Sequence, residues 1–163
     1  MGVSVSAYRG VQFEGPGSLG AVSNDLIEVF LDPSAGRLQA DDLETGIYSF
    51  SSKFEERIGS YSYFDEFRTA LAKLVDVPFP SEAREWQGVP FGELLYATDA
   101  HVLMGPAMVR AFLGNLGNFN EDASEILSEE HYDTYRVLDK AVNHALEYAK
   151  YESGEADGVL YIH

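Results

Sequence analysis

The spacing of apolar residues changes once along this chain, and that change constrains the fold more than any motif does. Before about residue 61 the short apolar runs have the length and partly the alternation of strands; from there to about residue 150 apolar residues recur every third or fourth position. Residues 3 to 14 alternate, with Val3, Val5 and Ala7 on one side and Ser4, Ser6 and Tyr8 on the other. Period two with β-branched and aromatic residues predicts a strand, and Arg9-Gly10 before Val11 and Phe13 suits a hairpin turn. Leu26 to Leu31 is an apolar run that fits a buried strand or one helical turn, because periodicity does not decide at that length. Ile47 to Phe50 and Phe54 to Tyr61 read as a second hairpin, joined through Ser51, Ser52 and Lys53. Val159 to Ile162 is a last strand, expected to join the N-terminal ones.

The helical part begins at Ser62, which reads as an N-cap with Asp65 three residues on. Phe64, Phe67, Leu71 and Leu74 then form one apolar face running to about Val75, with Arg68 and Lys73 off that stripe. Asp76 to Pro90 is interrupted by three prolines and a glycine; it holds Trp86, the single tryptophan, which fits either packing over the core or anchoring a partner. Phe91 to Phe119 is the most apolar stretch. It reads as a short helix, a tight loop carrying Asp99 and His101, and a second helix opened by Gly105-Pro106 and ended by Gly114, Gly117 and Asn118. From Glu121 the chain is helical again, with Tyr132, Tyr135, Leu138, Val142, Ala145 and Ala149 in register, Ser128 an alternative start and Gly154 the stop. Strands first and helices after predict an α+β fold: a small antiparallel sheet from the N-terminal third plus the C-terminal strand, covered by about four helices. The length of 163 residues fits a single domain, 1–163.

Charge narrows the function classes. Asp and Glu number 27 against 11 Lys and Arg, a net charge of −16. Phosphate neutralisation needs a positive surface, so direct nucleic-acid binding is not expected, nor is attraction to an anionic membrane. A basic protein partner, a cation or solubility alone fits better. The absence of cysteine removes disulfides, thiolate nucleophiles and thiolate metal sites, and suits a cytoplasmic protein. The opening MGVSVSAYRG does not read as a secretory leader, and no apolar run approaches the ~20 residues of a membrane span. H-E-x-x-H, P-loop, G-x-S-x-G and EF-hand patterns are all missing, so no catalytic residue, metal or cofactor is expected.

The candidate functional residues fall into three groups. Asp99 and His101, two apart in a loop, offer a carboxylate and an imidazole for a ligand, or a cap and an exposed side chain. His131 and His144, thirteen apart on one helix, point in different directions, while His163 reaches a site only through folding. Glu121, Glu125, Glu129 and Asp133 are spaced by four and on one helix form an acidic stripe, in a segment (121–163) with a local charge of −8. That stripe fits a basic partner or a solvated face. Tyr61 and Tyr63, with Trp86, are candidates for an aromatic contact.

Gly59-Ser60-Tyr61-Ser62 entering a helix with Phe67-Arg68, Pro90-Phe91 followed by Glu93-Leu94-Leu95, Asp99 and Gly105-Pro106, and the ending Gly158-Val159-Leu160-Tyr161-Ile162-His163 form a set of short motifs. Together they resemble a family of small uncharacterised bacterial and phage-encoded proteins with the approximate pattern GSYSxY, PFxELxxFSDxEGxxGP and a terminal GxVxFH. The chain departs from it at Ala100, His101 and Val102, where the family tends to carry an acid and a glycine. The resemblance implies no activity. The expectation is a non-catalytic acidic protein, of the inhibitor, immunity or phage-accessory type, that binds a basic protein. The alternative is a small enzyme or ligand-binding protein using the Asp99/His101 loop.

Overall fold

The structure is a computed structural model that describes residues 2–16, 26–29, 43–79, 88–96, 101–151 and 158–163. In chain order the elements are β1 (Val3–Arg9), β2 (Gln12–Gly15), β3 (Leu26–Val29), β4 (Gly46–Ser49), β5 (Ser52–Gly59), α1 (Tyr61–Leu74), α2 (Gly92–Leu95), β6 (Val102–Met104), α3 (Pro106–Ile126), α4 (Glu129–Tyr151) and β7 (Val159–Ile162). The strands form two antiparallel sheets, one in the order β5-β1-β7-β6 and one in the order β2-β4-β3. The fold is α+β, and the C-terminal strand does join the N-terminal ones, with Val5 opposite Ile162.

Neither expected hairpin forms. β1 does not fold back on β2, and β4 does not fold back on β5; β1 pairs with β5, and β2 with β4. Two long extended segments therefore run side by side, and both pass from one sheet into the other at the same level. Arg9 lies opposite Ser52 in the first sheet and Gln12 opposite Ser49 in the second. Between them the Ser51 N–H donates to the Arg9 carbonyl at 2.8 Å. Gly10 makes this corner with a φ of 64°, and a side chain there would collide with the Ser51 hydroxyl. Turn residues between two alternating runs mark a bend, but the same residues serve a hairpin and a sheet corner.

One face of the four-stranded sheet is apolar and carries the core. Val3, Val5, Ala7, Leu160, Ile162, Val102 and Met104 are all at most 1% exposed and meet the helices there. α1 contributes Phe64, Phe67 and Leu71, α3 contributes Val109, Phe112 and Leu116, and α4 contributes Tyr135, Leu138, Val142 and Ala145. Full burial of a large apolar side chain is worth roughly 1.5–3 kcal/mol. Phe91 sits at the junction, with its ring edge-on to Phe112 (5.6 Å) and to Tyr135 (6.1 Å). β7 approaches α4 so closely that a Cβ on Gly158 would overlap the Ala145 carbonyl.

The helix boundaries differ from expectation in three places. α1 begins two residues early: Ser60, not Ser62, is the N-cap, its hydroxyl accepting from the Tyr63 N–H at 3.1 Å. Asp65 is then free to accept from Arg68 (2.7 Å), which is buried rather than off the face. The Arg68 guanidinium lies over Phe64 and Phe79 and donates to the Leu94 carbonyl at 3.3 Å, tying α1 to α2. Phe91 to Phe119 is not helix–loop–helix, since β6 occupies the expected loop and pairs with β7. α3 runs through Gly114, Gly117 and Asn118 to Ile126, because packing of Phe112, Leu116 and Ala123 outweighs weak local propensity. The helical break falls instead at Leu127–Ser128, where Ser128 accepts from the His131 N–H at 3.1 Å and opens α4. Gly154 and Trp86 lie outside the described residues. Among the described residues no helix is long and apolar enough to cross a membrane.

Candidate functional site

Asp99 lies outside the described residues, so the Asp99/His101 pair is represented by His101 alone. His101 immediately precedes β6, and the pairing of Val102 with Ile162 sets it beside His163. His163 is further held by backbone bonds in both directions to Ser4, of 2.7 and 3.0 Å. Its Nε2 is 2.9 Å from the Ser6 hydroxyl, and its ring stacks on Tyr161 at 4.7 Å. These residues share the face of the sheet opposite the apolar core, as do Tyr8, Lys53 and Glu55. Lys53 and Glu55 form a 2.6 Å ion pair that raises the ammonium and lowers the carboxyl from their ordinary values. Burial pushes the His163 imidazole below its ordinary value; Glu55 opposes this, while Lys53 and His101 add to it. His163 is therefore a neutral imidazole at neutral pH, hydrogen-bonded to a hydroxyl.

A serine beside a neutral imidazole is half of a nucleophilic pair, but Ser6 is completely buried in the middle of a strand. A nucleophile has to be exposed to its substrate, as at the tight turn of a G-x-S-x-G elbow. The Ser6–His163 bond therefore serves to lock β7 onto β1. Among the described residues no three His, Asp or Glu side chains gather as a metal-holding group. The remaining histidines are also engaged separately. His144 meets the Arg9 guanidinium (3.0 Å) and the Ser52 hydroxyl (3.1 Å), while His131 lies against the rings of Tyr63 and Phe67.

The acidic residues are arranged differently from a single stripe. Because the helix breaks at Leu127, Glu121 and Glu125 end α3, whereas Glu129 and Asp133 begin α4. The two rows meet at the corner of an antiparallel helix pair. Glu121, Asp122, Glu125, Glu129, Glu130 and Asp133 are all exposed, and among the described residues none takes part in an ion pair. Ile126 projects from the same corner, 65% exposed, while Leu127 beside it turns inward. The corner is braced. The Tyr135 hydroxyl donates to the Leu116 carbonyl at 2.6 Å, and Tyr132 donates to Asn120 at 3.1 Å. Burial raises the Tyr135 phenol above its ordinary value, so that proton stays in place.

The aromatic candidates separate. Tyr61 is 42% exposed at the start of α1. Tyr63 is half-buried and its hydroxyl is used internally, 2.6 Å from Thr134 and donating to the Glu130 carbonyl at 3.0 Å. Beside it a groove of about 440 Å³ runs between the end of β5 and the start of α4, with Arg57 on one wall and Glu130 and Asp133 on the other. No family model, no curated protein and no solved structure matches this chain.

Proposed function

We propose that this chain is a non-catalytic, cytoplasmic interaction protein that docks a basic protein partner on the α3–α4 corner. The observation that carries the reading is the exposed Ile126, set among six exposed carboxylates, none of which takes part in an ion pair among the described residues. An apolar anchor surrounded by charge of one sign is an arrangement that protein interfaces use: the anchor is desolvated on docking, and the charges steer the encounter. The internal bracing of α3 on α4 presents the corner without a large ordering cost. The adjacent groove offers Glu130 and Asp133 to a basic side chain. An inhibitor or immunity-type role, or that of a phage accessory factor, fits such a surface.

The partner is captured by pull-down with the tagged chain at low and moderate salt. Glu125→Lys with Glu129→Lys is expected to weaken that complex by more than about tenfold at low salt, with the melting temperature changed little, because both sites are solvent-facing. A double variant that binds as tightly as wild type at low salt would remove the acidic corner from the interface.

A further inference from the structure

Glu93 is the least expected side chain in the molecule. It belongs to the four-residue α2, inside the apolar sequence PFGELL, and is only 4% exposed. Its Oε1 has no hydrogen-bond partner among the described residues. A buried carboxyl oxygen without a donor costs folding free energy, and such groups ordinarily have a partner or a function. Here the side chain lines a cavity of about 370 Å³ between the 88–93 segment and the first turns of α3. Val89, Pro90, Met108 and Ala111 supply apolar wall, and Asn115 a second polar group. That volume is at the small end of the range for organic-ligand sites.

We infer that this cavity binds a small organic cation, an alkylammonium or alkylguanidinium, whose charged head meets the Glu93 carboxylate and whose alkyl body lies against Met108 and Pro90. A cation supplies both the donor that Oε1 lacks and the counter-charge that a buried carboxylate needs. The chain's charge of −16 concentrates cations near the opening and repels anionic ligands. Burial raises the carboxyl to about 7, so the group is poised to ionise as a cation enters. The site is separate from the α3–α4 corner and stands or falls independently of it.

Calorimetric titration of the full chain at pH 8 with butylguanidinium, and with its neutral isostere butylurea, tests this. The cation is expected to bind at least about tenfold tighter than the urea. Glu93→Gln should bring the two to parity, and Ala111→Trp, which keeps the carboxyl but fills the cavity from an exposed helix position, should abolish binding of both. Equal affinities in the wild type would overturn the proposal. So would a cation preference that survives either variant, because general attraction to an acidic surface would then explain it. Should Glu93→Gln fail to fold, Ala111→Trp decides. A blocked Gly-Arg-Gly peptide run in parallel separates the sources: tighter binding than butylguanidinium identifies a protein side chain as the cation, weaker binding a free small molecule.

Discussion

At the scale of single residues the molecule places polar groups where their sequence neighbours give no sign of it. Arg68 borders an apolar stripe, and the stripe takes it in, with two rings and a carbonyl as partners. Glu93 is the sharper case, because its cost depends on pH. Its folded value near 7 lies above the ordinary 4.5, so the protonated form is the one folding favours. Below about pH 4.5 the residue carries no ionisation penalty; stability is lost as pH rises from about 4.5 through 7 and stays lost above it. Glu93→Gln is therefore expected to be about 3 kcal/mol more stable than wild type at pH 8, with the difference vanishing near pH 4. Urea unfolding of both proteins at the two pH values measures this. A variant no more stable than wild type at pH 8 would show that the carboxylate is compensated in the folded protein.

At the scale of elements, what was legible in the sequence followed from periodicity, and what was not depended on pairing. The alternation of Val3, Val5 and Ala7 and the closing run Val159 to Ile162 announced β1 and β7, because a half-buried or buried strand writes itself into the residues it needs. The expected hairpins do not form because Arg9-Gly10 and Ser51-Ser52 specify that the backbone bends, while the ladder each segment joins is decided by contacts distant in sequence. β6 is not legible in the sequence because three residues, Val102 to Met104, are too few to show a period. The acidic positions were legible, but their meeting at a corner was not: it depends on Ser128 taking over as a cap while Gly114 and Gly117 stay helical. Those glycines remain a local weakness, exposed and with open space where a Cβ would stand. Gly114→Ala and Gly117→Ala are each expected to add about 0.5–1 kcal/mol of stability, roughly additively. Thermal unfolding of the single and double variants reads this directly, and a loss of stability would mean that the glycine face is covered by something not yet seen.

At the scale of the whole molecule, charge and topology act together. With 27 acids against 11 basic residues, self-repulsion opposes compaction. Raising salt from about 0.01 M to about 0.1 M shortens the screening length from ~30 to ~10 Å. The melting temperature of the isolated chain is therefore expected to rise over that range, while the proposed complex with a basic partner loosens. A melting temperature that falls would show that internal ion pairs outweigh the repulsion. Topology has a consequence for biosynthesis as well. β7 lies between β1 and β6, so β1 finds one of its two neighbours only when residues 159–162 have been translated. Until then a nascent chain carries the inner edges of β1 and β6 as unsatisfied rows of backbone donors and acceptors, with α3 and α4 already emerging beside them. Completing the sheet is a closing step between Val5 and Ile162, residues far apart in the chain, and until it happens the inner edge of β1 is exposed to mispairing with other chains.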